Sequence, residues 1–248
     1  MVLAVATATL TTKQRAARST VVWKAVMAIT GLLMVGFLLF HMYGNLKLFA
    51  GQEAYDTYAH HLRTMLEPIL ANRGFLWIVR VVMLAGVVLH IVSAIVVTRK
   101  SWAAVGGIGK RYESGKNSSG MQRTYASRTM RWGGVIIFLF VVAHILHFTA
   151  TKLRTEAIMQ SSPYARVVAG FEQWWVWLFY VIALTAVLLH LRHGIWSAFT
   201  TIGLHVGPSA RYNLNALAWI VAGVLWVGFL APVTWILITQ PAIPTMGA

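Results

Sequence analysis

Cysteine is absent from this chain of 248 residues, and its absence limits the chemistry that the chain can perform. No disulfide bond can tie its loops together, so the cysteine count says little about the compartment. An iron–sulfur cluster held by thiolates would need its ligands from another chain. Metal or redox chemistry in this chain must therefore depend on other side chains.

Acidic residues are also scarce, with six Asp and Glu against 21 Lys and Arg. All six acids lie outside the long apolar segments of the sequence. A di-iron site needs inward-facing carboxylates on several helices, and a proton pump usually needs buried acids. Phosphate-binding glycine loops, hydrolase triads and zinc-protease patterns are missing too. These absences argue against several classes of enzyme.

Long apolar segments make up most of what is present, and 58% of the residues are hydrophobic. A helix needs about 20 apolar residues to cross the hydrocarbon core. Five segments meet this requirement, namely 22–43, 75–98, 132–151, 174–198 and 213–239. We therefore predict an all-α membrane protein, a bundle of five transmembrane helices. Residues 1–21 would precede this single membrane domain, 22–240, and residues 241–248 would follow it as a tail.

The Lys and Arg residues predict the orientation of the bundle, because cytoplasmic loops carry an excess of both. The segment 1–21 has cations and no acid, and the loop 99–131 is strongly basic. We expect both on the cytoplasmic side and the C-terminus outside. The net charge of +15 then indicates anionic lipid and a cytoplasmic partner, and not nucleic acid.

The remaining connections carry weaker signals. On the outer side, 53–70 has a mixed pattern that predicts a short interfacial helix, and 162–172, after Ser162-Pro163, predicts another. The Gly- and Ser-rich part 101–129 is expected to be irregular. The fifth segment has no histidine, and we expect it to pack against the other four or against lipid.

Four histidines are the most informative feature of the chain. His41, His90, His144 and His190 lie one in each of the first four apolar segments. Ionisable side chains are costly in a bilayer, usually face the bundle interior and mark function. Consecutive segments cross the membrane in opposite directions, and each histidine lies in the later part of its segment. His41 and His144 therefore fall in the outer half of the membrane, and His90 and His190 in the inner half.

A faint internal repeat supports this pairing. The segment Leu84–Ile95 aligns without a gap with Leu184–Ile195, which matches His90 to His190. The first and third segments align more weakly, through Phe37 with Phe140 and His41 with His144. Two such halves would be related by an axis along the membrane normal, with equivalent residues at equal depth.

Paired imidazoles on facing helices can hold haem b, with both axial positions of the iron filled. His147 and His193 follow His144 and His190 by one helical turn, so either could replace its neighbour as ligand. The repeat favours His190 as the ligand, because it matches His90. His193 is then a candidate contact for a haem propionate or a quinone, and His147 is interpreted as structural. The loop histidines are expected to be solvated: His60, His61 and His205.

The inner rim offers candidate contacts to a haem propionate or a quinone headgroup. These candidates are Lys24, Arg192, His193 and Trp196, with Trp23 beside them. Cations and aromatic residues also occur at most helix ends for purely interfacial reasons. Both interpretations remain open from the sequence.

Several motifs in this order carry a resemblance to a known family. They are Ala28-Ile-Thr-Gly31 with His41-Met-Tyr-Gly-Asn-Leu-Lys47, then Leu89-His90, Ala143-His144-Ile-Leu and Leu189-His190-Leu-Arg-His-Gly-Ile-Trp196. The chain resembles, over about 23–238, the cytochrome b membrane anchor of bacterial succinate:quinone oxidoreductase, respiratory complex II, in its five-helix form.

The resemblance implies that His41 and His144 ligate a distal haem b, and His90 and His190 a proximal one. It implies flavoprotein and iron–sulfur subunits on the cytoplasmic face, with succinate oxidised on another subunit and electrons passed to a membrane quinone, menaquinone being expected. The location would be the bacterial cytoplasmic membrane. Some members of similar architecture hold one haem or another metal centre. A higher oligomer stays open, and Glu67 matches the family's outer acidic group by position alone.

Two other functions stay open at this point. One is a haem b subunit of another quinone-linked enzyme, of the hydrogenase or formate dehydrogenase type. The other is a non-redox transporter whose histidines bind a substrate or a metal. The first predicts different partner subunits, and the second predicts no haem absorption.

Overall fold

The computed structural model describes residues 19–104, 125–148, 161–204 and 207–239. These residues form seven α-helices, and no β-strand occurs among them. They are α1 (Thr20–Leu46), α2 (Gly51–Thr64), α3 (Gly74–Ala104), α4 (Tyr125–Phe148), α5 (Pro163–Phe171), α6 (Trp174–Thr201) and α7 (Pro208–Thr239). Five of them, all except α2 and α5, are long and apolar enough to span a membrane. The predicted five-helix membrane bundle is therefore confirmed.

The spans pack in the order α3, α1, α6 and α4, with each helix against the next. The fifth span, α7, packs mainly against α6 and also against α1, as expected for a helix beside the four-helix core. Within the described residues, α3 and α4 pack far less closely than these neighbours. The four-helix arrangement is thus more open along the side between α3 and α4.

The two short helices lie at one end of the bundle, which we call the α2/α5 end. Both appear where the sequence predicts short helices. A 3₁₀ turn, Lys47–Ala50, joins α1 to α2, and Gly51 has a φ of 88° that interrupts the helical path. The N-terminus of α5 is capped by Ser162, whose hydroxyl accepts from the N–H of Ala165 at 3.2 Å. Pro163 follows in the first turn, where its missing N–H costs nothing.

The helix bounds correct the sequence expectation in three places. Helix α3 continues to Ala104 and α4 begins at Tyr125, so the ends of the expected loop 99–131 are helical. Helical backbone hydrogen bonds continue beyond the apolar core, where Arg131 lies 5.2 Å over the Trp102 ring. Helix α2 ends at Thr64, short of residue 70, and α7 begins at Pro208, before residue 213. The rest of the loop, 105–124, lies outside the described residues.

Two buried clusters hold the helices together. One lies at the α2/α5 end and contains Leu48, Val168, Phe171, Val176, Tyr180, Val233 and Ile236. The other lies between α6 and α7 and contains Leu191, Ile195, Ala218, Ala222 and Leu225. Small residues such as Ala218 and Ala222 let the two backbones approach closely, which is how helices associate in lipid.

Candidate haem sites

Two pairs of histidines face each other across the bundle. The ring centres of His41 on α1 and His144 on α4 are 5.9 Å apart. Those of His90 on α3 and His190 on α6 are 6.3 Å apart. Each pair joins helices that are not neighbours in the packing order, so the rings meet along the two diagonals of the four-helix arrangement. These are the pairs that the sequence places at equal depth.

The two pairs lie at different levels along the bundle. Gly31 on α1 is next to the His90 ring, whereas His41 on the same helix belongs to the other pair. At a rise of about 1.5 Å per residue, these positions on α1 are about 15 Å apart. That separation is about half of the hydrocarbon core.

The ring of His90 is fixed by the backbone of α1. Its Nδ1 lies 3.0 Å from the carbonyl oxygen of Met27 and 3.2 Å from Oγ1 of Thr30. A carbonyl can only accept, so Nδ1 carries the proton and donates. The hydroxyl of Thr30 donates to the carbonyl of Val26 at 2.7 Å and so presents its lone pairs to His90. The other ring nitrogen, Nε2, is then unprotonated and able to bind a metal.

His190, which faces His90, lacks a contact of the kind that fixes the His90 ring. Its Nδ1 is buried and has no hydrogen-bond partner among the described residues. A buried imidazole nitrogen without a partner costs free energy, since it has lost its water. Gly134 on α4 lies beside this ring, where a Cβ atom would be at an ordinary contact distance of 3.9 Å from Cε1 of His190. An iron ion bound at Nδ1 itself would supply the missing partner, whereas one bound at Nε2 would leave Nδ1 without a partner.

Aromatic rings surround the other pair. Phe37 stacks on His41 at 5.4 Å between ring centres, and Phe140 lies 5.8 Å from His144. Phe229 of α7 also contacts His41, at 5.6 Å. Phe37 and Phe140 each precede the histidine of their own helix by one turn, so the internal repeat extends to the packing of the rings.

A buried tyrosine reaches the same level from α6. The hydroxyl of Tyr180 is 3.1 Å from Nδ1 of His144 and 3.4 Å from Nδ1 of His147. A phenol can donate to one of these nitrogens and accept from the other. When Nδ1 of His144 donates to this hydroxyl, the ring is held from its Nδ1 side and the unprotonated Nε2 is left for a ligand.

The ring separations suit axial ligation of one iron by each pair. An imidazole nitrogen lies about 2 Å from a bound metal ion, and its ring centre about 1 Å further. Two imidazoles on opposite sides of one ion therefore have ring centres about 6 Å apart. Both observed separations match this value. The donor set fits haem b, which takes two axial imidazoles and whose porphyrin supplies the other four nitrogens.

The structure also distinguishes the neighbouring histidines. His144 and His190 face a histidine of another helix, whereas His147 contacts Phe148, Phe171 and Tyr180, and His193 lies 6.2 Å from Trp196. Two of the histidines that the sequence assigns to loops lie on a helix instead. His60 and His61 are part of α2, which covers residues 51–64, and both are exposed as expected. His205 lies outside the described residues. The described residues contain no group of three or more potential metal ligands, which is a different kind of site from an axial pair.

The remaining candidates for a propionate or a quinone differ in their surroundings. Arg192 is 7% exposed, and its Nη2 donates to Oδ1 of Asn215 on α7 at 2.7 Å. Its guanidinium also lies 5.3 Å over the Trp219 ring. Lys24 is exposed on α1, and Trp196 lies near His193 on α6. Arg192 therefore points to α7, whereas His190 points to α3.

Sequence reasoning missed Tyr180, the Met27 carbonyl and Gly134. Gly134 had a signal, because it follows Gly31 by the same number of positions as His144 follows His41. Tyr180 had none, since a tyrosine on an apolar helix is ordinary. The carbonyl of Met27 is a backbone group that every residue has, so the amino-acid sequence does not show that it contacts His90.

Comparison with known proteins gave no match to a family model, to a curated protein or to a solved structure. The interpretation of the site therefore rests on its own geometry.

Proposed function

We propose that this chain is the haem b-binding membrane anchor of a succinate:quinone oxidoreductase. In this proposal it passes electrons from an iron–sulfur subunit to a membrane quinone, menaquinone being expected. The observation that supports it most strongly is the presence of two histidine pairs, 5.9 Å and 6.3 Å apart, at two levels of one membrane bundle. Four-helix bundles commonly build cofactor sites from side chains on facing helices.

The protein's own residues would hold and orient two haem groups. When bound between two imidazoles, haem b supplies one-electron chemistry with no open position for oxygen. The Met27 carbonyl fixes the tautomer of His90, and Tyr180 positions His144. Such partners of a ligand's second nitrogen orient the ring and raise its basicity. Phe37, Phe140 and Phe229 would keep water from the His41 and His144 rings.

The partner subunits follow from what this chain lacks. It has no thiolate for an iron–sulfur cluster, so a flavoprotein and an iron–sulfur subunit would oxidise succinate and deliver the electrons. We place them at the basic end opposite the α2/α5 end, on the cytoplasmic side of a bacterial membrane. Lys24, Arg192, His193 and Trp196 remain candidates for the propionates or the quinone headgroup on that side.

An inventory of the purified native complex tests this proposal. We expect two haem b per chain by the pyridine haemochrome assay and copurification of a flavoprotein and an iron–sulfur protein. A molybdenum or nickel subunit in their place would assign the chain to another quinone-linked enzyme. A preparation with no Soret absorption, after expression with sufficient haem, would refute haem binding and favour the transporter.

A further inference from the structure

An open groove lies between α1 and α7, on the outside of the bundle. Its volume is about 590 Å³, and it is lined by Met42 and Leu46 of α1 and by residues within 219–228 of α7. Gly228 lies directly against the thioether of Met42, so the two helices meet at this level. At Gly223, by contrast, an added Cβ atom would meet no other group of the described residues within 4 Å. The groove is therefore widest beside Gly223. We call it the α1/α7 groove.

The length and lining of the α1/α7 groove match an acyl chain. Residues 219 and 228 are about 14 Å apart along α7, and Leu46 lies about 6 Å beyond Met42 along α1. The groove thus extends about 20 Å from the last turn of α1 towards the middle of the spans. Half of the hydrocarbon core measures about 15 Å. A chain in the groove would therefore run from headgroup depth to the centre of the bilayer, along side chains that carry no charge.

Three polar side chains meet where the groove reaches the end of α1. The Nζ of Lys47 lies 4.9 Å over the ring of Tyr43, and this ring meets the Tyr58 ring of α2 edge to face, with centres 6.0 Å apart. Gly44 permits this approach, since a Cβ atom there would lie 2.9 Å from Cε1 of Tyr58. Tyr43 and Lys47 each directly follow a residue that lines the groove, so these side chains border it. We call Tyr43, Lys47 and Tyr58 the Lys47 cluster.

The Lys47 cluster has the chemistry of a phosphate contact at headgroup depth. The ammonium group offers three N–H donors, and each phenol offers one O–H. Tyrosine and lysine are typical of the boundary between membrane and water. Donors beside an apolar groove correspond to the two parts of a phospholipid. An isoprenoid chain or a further helix would use the groove alone, and a free phosphate would use the cluster alone.

We propose that the α1/α7 groove binds one acyl chain of a phospholipid whose phosphate is held by the Lys47 cluster. The chain would fill the space beside Gly223 and add to the packing between α1 and α7. The headgroup would join the end of α1 to α2. Such a lipid would bind whether or not the protein holds haem or partner subunits.

Titration with one defined lipid tests the proposal. The full chain is purified in a neutral detergent and freed of lipid, dipalmitoyl phosphatidylglycerol is added, and bound lipid is counted by native mass spectrometry. Gly223→Leu places a side chain in the open part of the groove. Gly133→Leu on α4 is the matched control, because a Cβ atom there also meets no group within 4 Å and Gly133 does not line the groove.

A second pair of variants tests the headgroup contact. Lys47→Gln removes the positive charge of the cluster and keeps a side chain of similar shape. Arg80→Gln is its control, because Arg80 also lies over an aromatic ring, 5.0 Å from that of Trp77 on α3, away from the groove. Circular dichroism checks that each variant remains helical.

We expect one phosphatidylglycerol to be retained per chain. Gly223→Leu should weaken its binding about tenfold, a typical cost of adding methylene groups to a filled site. Lys47→Gln should weaken it about fivefold, the loss typical of one cation at an anionic surface. Should Gly223→Leu lose its helicity, Gly223→Ala adds a single methyl group in the same space and should weaken binding about threefold.

Several results would overturn the proposal. Unchanged binding in the Gly223 variant, or an equal loss in either control, would show that the lipid does not occupy the groove. Full displacement by millimolar inorganic phosphate would show that no acyl chain is needed. Displacement by an equimolar isoprenoid quinone would assign the groove to a quinone tail. A dimer that Gly223→Leu dissociates would assign it to a second copy of the chain.

Discussion

Gly31 lies directly against the imidazole of His90. A Cβ atom at residue 31 would be 3.3 Å from Cε1 of that ring, closer than most side chains tolerate. The ring has little freedom to retreat, because its Nδ1 is tied to the Met27 carbonyl one turn earlier on the same helix. Glycine at residue 31 therefore lets α1 both contact and orient a histidine of α3.

Replacing Gly31 with alanine should disturb the His90 level selectively. The new methyl group must displace the ring by a few tenths of an ångström. We therefore expect the affinity for haem at this level to fall about tenfold, the lower limit of the losses seen when the partner of a metal ligand is changed. Transfer of haem to apomyoglobin measures this loss. Gly134→Ala is the matched control, since its methyl group would meet His190 at an ordinary 3.9 Å. Both variants gain the same helix propensity from the change of glycine to alanine. An equal loss of haem in the two variants would therefore contradict the close contact between residue 31 and His90.

The sequence alone could predict the spans and the pairing of the histidines. Twenty or more apolar residues require a helix in lipid, because no other open structure satisfies the backbone there. The alternating direction of consecutive spans then places His41 with His144 and His90 with His190. The repeat also anticipated the matching positions of Phe37 and Phe140, each one turn from its histidine.

The repeat did not predict how the helices close on each other. Equal halves would pack α3 on α4 as closely as α1 on α6, but the described residues show close packing only for α1 and α6. Helix α7 belongs to neither half. It packs against α6 and α1, and so it stabilises the contact between these two helices and not the one between α3 and α4. The partners of individual side chains, such as Arg192 with Asn215, depend on this asymmetry. No pattern within a single helix contains that information.

The four histidines should act as two independent pairs. His90→Ala and His190→Ala, separately or together, are each expected to remove the same half of the haem, because both residues would ligate the same iron and this site holds the group through that pair. Combining His90→Ala with His41→Ala should remove all of it. Haem content per chain and dithionite-reduced spectra give the measurement, with the exposed His60→Ala as control. Loss of all haem in every single variant would show one shared site and contradict the two levels.

Tyr180 is expected to influence the haem at the His144 level. Tyr180→Phe keeps the ring in its buried position and removes the hydroxyl 3.1 Å from Nδ1 of His144. Loss of such a partner typically lowers the affinity for the metal centre by about 10- to 100-fold. It should also shift the midpoint potential of that haem alone, which redox titration resolves. Tyr212→Phe, at an exposed tyrosine of α7, should change neither quantity. A purely structural Tyr180 would lower thermal stability and leave the potential unchanged.

Asn215 should stabilise the bundle and not the haem. Its Oδ1 accepts a 2.7 Å hydrogen bond from Arg192, which links α7 to α6. Asn215→Ala removes this acceptor and should lower the free energy of unfolding by about 0.6 to 2 kcal/mol, the range for hydrogen bonds between membrane helices. Unfolding in SDS measures the change, and Asn72→Ala, at an exposed site on the turn 65–73, is the control. Haem content should stay the same, because Arg192 points to α7 and His190 to α3. If haem were lost without a loss of stability, Arg192 would instead be needed at a propionate, as the sequence allowed.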